Sequence, residues 1–366
     1  MFKKVFAWIL TLALVLSPIA IFPLPAIADN LAWEGDIAES FAGGTGTETD
    51  PYQIANGSQL ALLAKNVNSG ISYHEEYFIQ TADIDLGDYD WTPIGGGQGY
   101  CSFSGSYQGN GHSIVNMTLA LSESESAPTT AGLFGIVGTE AHIEGINLSI
   151  NSILVTSKDG DIIIGGIAGD HSSPCTIKNC TVTINGSITA EVGSGSGSVL
   201  FGGIAGRNTG AIRDCTTIKI KNTSDEAYVG GIVGYNNGDI FNCDNTGTLH
   251  AEAEADPSLN SGTYRIYAGG IAGYVYGDFN NAVIENCQNN ADIECINHGD
   301  LDNSFRAYAG GIVGHIDVQS VTQVASVETI EMIPDGVQII NCANIGADKR
   351  VYNQSPHYND GWNRWF

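Results

Sequence analysis

Basic residues are scarce in this 366-residue chain: 14 lysines and arginines stand against 40 aspartates and glutamates, a formal net charge of −26. Such a charge repels nucleic acid, anionic lipid and acidic polysaccharides at long range, so those partners are disfavoured. Beyond the N-terminal stretch no run approaches the ~20 apolar residues of a bilayer span, which argues against membrane insertion once a leader is removed. His74-Glu75-Glu76-Tyr77-Phe78 lacks the second histidine of a zinc-peptidase helix, and neither CxxC nor interleaved histidine spacing is present, so zinc chemistry has no footing. The glycine-rich phrases carry no lysine followed by serine or threonine, which removes the phosphate-loop reading.

What the chain has is repetition. One phrase occurs six times, at Ala131–Gly135, Gly165–Gly169, Gly202–Gly206, Gly230–Gly234, Gly269–Gly273 and Gly310–Gly314. Its last glycines are 34, 37, 28, 39 and 41 residues apart. A phrase recurring at such intervals marks a stack of similar units, a solenoid, rather than one globular core. A second phrase follows each copy: Ile177–Cys180, Ile212–Cys215, Ile240–Cys243, Ile284–Cys287 and Ile339–Cys342, with a degenerate Ile143–Ile146 in the first unit. Between the phrases lie β-branched runs such as Thr181–Ile184 and Thr217–Ile220, too short for helices. Each unit therefore reads as about three short strands. The economical arrangement is an all-β, right-handed parallel β-helix, in which equivalent residues stack rung upon rung. The 28-residue spacing suits one turn, and longer spacings carry insertions, clearest at 193–198, 251–264 and 317–335. The 47 glycines supply corners where a side chain would obstruct the turn.

The ends read differently. Lys3 and Lys4, an apolar run from Val5 towards Phe22 and the small residues Ala26-Ile27-Ala28 predict a secretory signal over 1–28 and a mature chain from Asp29, either secreted freely or held at the cell surface. An uncleaved membrane anchor is the alternative. A leader and capping helix follow over 29–70: Ser58 is placed to cap a helix running through Gln59–Val67, whose leucines recur at helical spacing and would cover the first rung. The β-helix then spans 71–347. Residues 348–366, rich in aromatics, form either a C-terminal cap or a loose tail.

The five-residue phrase resembles the GLUG motif of bacterial surface proteins. Ile-x-Asn-Cys followed by Asn245-Thr246-Gly247 or Asn344-Ile345-Gly346 resembles the continuation of that motif, and Asp50–Ile54, Ala82–Leu86, Trp91–Gly95 and Gly109–His112 resemble its N-terminal companions. The resemblance implies a β-helical stalk of the kind found in cell-surface and adhesin-like proteins and in the non-catalytic part of IgA-cleaving metallopeptidases.

Four groups of side chains are candidates for a role. Cys180, Cys215, Cys243, Cys287 and Cys342 occupy one slot of successive units and read as an internal ladder of buried thiols, with rung-to-rung disulfides as the alternative. Asp83, Asp85 and Asp88 could supply carboxylates for Ca²⁺, the one cofactor suggested; a turn-stabilising role is the simpler reading of the first two. Directly after the glycine phrases stand Asp170, Arg207, Tyr235, Tyr274 and His315, and two positions before their paired glycines stand Tyr228, Tyr267 and Tyr308. Alternation along strands predicts that these sets face opposite ways. The tyrosines of the second set would then join the core, leaving Arg207, Tyr235, Tyr274 and His315 as an exposed, ligand-binding stripe unless an insertion covers it. Asn179, Asn242, Asn286 and Asn341 read as corner residues that take left-handed backbone or ladder between rungs.

Carbohydrate-active enzymes also use β-helices, but the chain has no adjacent Asp-Asp pair, no Gly-His-Gly and no Arg-Ile-Lys of the kind polygalacturonases carry. The expectation is therefore a non-enzymatic surface protein that binds a glycan or surface protein of a host or neighbouring cell. A polysaccharide lyase or glycoside hydrolase, and a stalk without a ligand, are the competing readings.

Overall fold

The computed structural model describes residues 32–96, 100–123, 128–158, 160–192, 197–218, 220–223, 227–253, 264–277, 282–297, 305–318, 337–345 and 349–353. The leader expected at 1–28, most of the insertions 251–264 and 317–335, and the segment after 353 lie outside them.

The shortest unit shows how a rung is built. Its strands are Val199–Gly202, Ala205–Asn208, Ala211–Arg213 and a broken fourth, Thr216–Ile218 with Ile220–Thr223. Each pairs in parallel with its counterpart one unit later: Val199 with Ala227, Ala205 with Val233, Ala211 with Asp239, Thr216 with Asp244 and Ile220 with Leu249. Repeating this step along the chain gives four parallel sheets of 9, 6, 6 and 12 strands. This is the stacking of a parallel β-helix. A rung holds four strand positions where three were expected, because the glycine phrase does not end a strand but bends the chain, at Gly203 and Ile204 here, and sends its two halves to different sheets.

The phrase needs glycine for proximity. A Cβ on Gly202 would lie 2.0 Å from the carbonyl oxygen of Ala205, and one on Gly234 would lie 2.5 Å from the backbone nitrogen of Phe201. The strands on either side of the bend therefore press backbone against backbone, and any side chain there would force them apart. Left-handed backbone is used elsewhere, at the corner before each cysteine. There Asn179, Asp214, Asn242, Asn286 and Asn341 have φ between 52° and 55°, the conformation in which asparagine and aspartate are the least penalised of side-chain-bearing residues. The corner amides also link rungs: Asn242 Nδ2 donates to Asp214 Oδ1 at 3.0 Å.

Inside the coil the isoleucines form files. Ile177, Ile212, Ile240 and Ile284 stack in register, all fully buried, each worth about 1.5–3 kcal/mol relative to exposure. Two further files are polar. Asn208 donates to Asn236 at 2.8 Å, and Asn245 donates to Asn289 (3.0 Å), which donates to Asn344 (2.8 Å). Buried amides are tolerated because each meets the next, so little hydrogen-bonding capacity is stranded.

The N-terminal end is closed by a helix, Gly57–Asn68. Its cap is Asn56 rather than Ser58: the Asn56 side chain accepts from Gln59 N at 3.0 Å and Gln59 Oε1 accepts in return from Ala55 N at 2.8 Å, a reciprocal closure of the first turn. Ser58 instead donates to Asp36 Oδ1 at 2.8 Å, tying the preceding loop to the helix. Leu60, Leu63 and Val67 are fully buried in the same core as Ile54 of the first strand, Tyr52–Ile54. That strand ends the nine-stranded sheet, so the helix shields an edge that would otherwise template aggregation.

Candidate functional site

The stripe read from the sequence is a continuous column. Asp170 pairs with Arg207, Arg207 with Tyr235, Tyr235 with Tyr274 and Tyr274 with His315 across successive parallel strands. Tyr235 and Tyr274 stack with centroids 5.4 Å apart and planes 12° apart, and His315 follows 5.2 Å from Tyr274. At the other end Arg207 clasps Asp170 through two parallel hydrogen bonds, Nε to Oδ1 at 3.1 Å and Nη2 to Oδ2, a fork that holds both side chains flat against the sheet.

The second column, Tyr228, Tyr267 and Tyr308, also stacks, with centroids 5.5 Å and 5.0 Å apart. It does not face the opposite way. Tyr228 meets Tyr274 edge to face at 4.9 Å, and Tyr267 meets His315 at 4.7 Å, so the two columns interlock. The bend at Gly231 and Ile232 explains the correction: the sets belong to strands of two sheets, and alternation does not carry through a corner. Nor is the stripe freely exposed. Arg207, Tyr235, Tyr274 and His315 are all half-buried, and in the other column Tyr267 is buried at 4% exposure.

This packing changes the chemistry on offer. Both faces of Tyr274 are covered, by Tyr235 and His315, so it has no free face for a sugar ring; ring edge and hydroxyl remain. That hydroxyl donates to Asp317 Oδ2 at 2.8 Å. Burial and then the Asp317 hydrogen bond push it up from the usual phenol range, so it stays a neutral donor. Burial pulls the His315 imidazole down, towards the neutral form.

For Asp83 and Asp85 the structure shows the simpler of the two readings, a role in turns. Among the described residues no three His, Cys, Asp or Glu side chains are grouped so as to hold a metal ion. Asp83 Oδ1 instead accepts from Ser113 N at 2.8 Å, and Asp85 Oδ1 accepts from Gly87 N and Asn116 Nδ2, both at 2.9 Å. Those carboxylates tie turns to the next rung.

The structure places the five cysteines in one vertical file. Cys180, Cys215, Cys243 and Cys287 are buried, Cys342 is half-buried at the last rung, and all are free thiols. Cys243 N donates to Cys287 Sγ at 3.5 Å. Burial, followed by hydrogen bonding to Cys180 and Cys243, raises the Cys215 thiol, and burial pushes the thiols of Cys175 and Cys295 up to about 12. None of these three behaves as an activated nucleophile.

One polar feature was not anticipated. Fully buried His171 heads the Asn208–Asn236 file, with Nδ1 and Asn208 Oδ1 2.6 Å apart. The signal was present in the sequence: asparagine stands two residues after the third glycine in Arg207-Asn208 and Tyr235-Asn236, and two residues after the cysteine in Asn245, Asn289 and Asn344.

The repeats at residues 225–249 and 264–294 match the family model described as the GLUG motif. Two of the chain's repeats thus carry the GLUG motif. The matched segments contain the strands bearing Tyr228, Tyr235, Tyr267 and Tyr274, the middle of the interlocked columns. The chain is 28% identical over 145 residues to a "Putative Gly-rich membrane protein" of Evansella cellulosilytica, and 31% identical over 153 residues to "Halomucin" of Haloquadratum walsbyi. Each alignment covers 39% of this chain but only 16% and 2% of the respective relative. A crystal structure from Bacteroides ovatus, described as a putative immunoglobulin A1 protease, aligns over 83% of this chain and 86% of its own at 22% identity and a TM-score of 0.42. Among the described residues no helix is long and apolar enough to cross a membrane.

Proposed function

We propose that this GLUG β-helix is an exported, non-catalytic surface protein whose interlocked aromatic face binds a glycan or protein of a neighbouring cell. The observation that carries the reading is the double column itself, which holds large, half-buried side chains in fixed order along successive rungs. Because the rings stack on one another, a ligand would lie along the column and engage ring edges, hydroxyls and the Asp170–Arg207 pair. A rigid, preorganised edge of this kind costs little entropy on binding. The catalytic alternative has less behind it, since prominent carboxylates are already engaged: Asp170 by Arg207, Glu144 by Lys178 and Glu294 by His250.

The competing stalk reading draws on the same ladders, which use most recurring polar side chains to join rung to rung. An array of glycans and matrix proteins probed with residues 29–366 separates the two. Tyr235→Phe with Tyr274→Phe keeps the stacking and removes two hydroxyls. Binding weakened at least about fivefold in a variant that stays fully folded at the assay temperature supports the face; no signal on any surface favours the stalk.

A further inference from the structure

The N-terminal cap contains a concavity, remote in sequence from the aromatic columns. It is an open cleft of about 630 Å³ between the loop 37–44 and the outer side of the helix Gly57–Asn68, with Phe41 and Tyr52 on one side and Leu62, Lys65 and Asn66 on the other. The volume lies in the range of small-ligand sites. We propose that this cleft is a binding site for a neutral saccharide unit.

The cleft is preorganised. Its loop is fastened to the first strand, Ala42 N donating to Gln53 O and Gln53 N to Gly43 O, each at 2.9 Å, and to the helix, Ala38 N donating to Ser58 O at 3.0 Å. The Ser58–Asp36 hydrogen bond secures the same loop a second time. The apolar side is fixed as well: Phe41 and Tyr52 pack with centroids 4.9 Å apart and both rest on Phe78, at 5.4 Å and 5.2 Å. Asn66 Nδ2 donates to Tyr73 OH at 2.8 Å, which orients its amide. A site held this firmly loses little freedom when it is filled.

The choice of ligand follows from the lining. Aromatic rings beside aliphatic Leu62 suit the C–H face of a pyranose. Around them the cleft sets a carboxylate, Glu39, and an ammonium, Lys65, together with the Asn66 amide and the Ser40 hydroxyl. Hydroxyl groups both donate and accept, so a polyol can satisfy an acceptor and a donor at once, whereas an anion would meet Glu39 and a cation Lys65. The overall charge of −26 further disfavours acidic sugars.

The test uses residues 29–366 with four probes, cellobiose, maltose, N,N′-diacetylchitobiose and a glucuronic-acid-containing disaccharide, read by ring-proton shifts and saturation transfer in NMR. At least one neutral disaccharide is expected to saturate with a millimolar or tighter dissociation constant, and the acidic one to bind more weakly. Ser40→Trp, which fills the cleft from an exposed position, should weaken binding at least about tenfold, and Lys65→Ala at least about threefold, both at unchanged thermal midpoint. The phenylalanine variants of Tyr235 and Tyr274 should leave this binding intact, so failure of one site is distinguishable from failure of the other. Absence of saturation by every neutral probe at about 20 mM, or binding indifferent to Ser40→Trp, overturns the proposal.

Discussion

Tyr228 and Tyr274 stand on successive rungs and on different sheets, yet their rings meet edge to face at 4.9 Å. That contact couples two sheets that share no hydrogen-bonded edge. Tyr274 also stacks on Tyr235 and touches Tyr267 and His315. Tyr274→Ala should therefore cost about 2–4 kcal/mol. Tyr274→Phe gives up only the bond to Asp317 and should cost about 1 kcal/mol or less. Urea midpoints of the two variants, compared at equal slope, check the ratio; an alanine variant as stable as the parent would mean the columns are not packed.

The glycine phrase gives a sharper contrast. A Cβ at Gly234 would lie 2.5 Å from the Phe201 nitrogen, a backbone atom that cannot swing aside, whereas one at Gly70 meets nothing within 4 Å. Gly70 has φ of 99°, so Gly70→Ala carries a backbone penalty of about 1 kcal/mol. Gly234→Ala adds separation of two sheets, and is expected to lose at least about 3 kcal/mol or to accumulate as insoluble protein. Parallel expression and thermal melting of the two variants reads the difference directly.

The same comparison shows what the sequence could and could not reveal. Rungs, isoleucine files, the cysteine slot and the corner asparagines were legible because each recurs at a fixed offset, and stacking turns an offset into a vertical file. The aromatic face was not, because the offset from Tyr228 to Tyr235 spans a bend and parity fails across it. Asp83 and Asp85 left two readings open for a different reason: a carboxylate serving its own turn and one serving a cation have the same local sequence. Residues 37–44 belong to no repeat, so nothing in their spacing announced that they wall a cleft.

Asn242 tests the corner rule. Its φ is 52° and its amide donates to Asp214 on the preceding rung at 3.0 Å. Asn242→Ala loses both the tolerated left-handed conformation and the bond, for about 1–3 kcal/mol. Asn242→Gly recovers the backbone term and should lie between alanine and the parent. Ranking the three by denaturant midpoint checks the assignment; glycine falling below alanine would contradict it.

His171 makes stability depend on pH in a direction that can be worked out. Asn208 Nδ2 donates to Asn236, so Asn208 Oδ1 is an acceptor, and the 2.6 Å contact requires that His171 Nδ1 carry the proton. Nε2 is then an unprotonated acceptor, buried and without a hydrogen-bond partner. Burial pulls the imidazole down to about 4 from the ordinary 6.5, against a smaller opposing effect of the Asn208 bond. Between those values the unfolded chain binds a proton that the folded one does not. Stability contributed by neutral His171 is therefore complete above about pH 6.5 and falls as the pH drops towards 4, by an amount on the order of 3 kcal/mol. Below that both states are protonated and this dependence ends. His171→Asn prolongs the asparagine file with a group that does not titrate, so its urea midpoint should change less between pH 7 and pH 4.5 than that of the parent. An identical decline in the two proteins would place the acid sensitivity elsewhere, in the carboxylates that join the rungs.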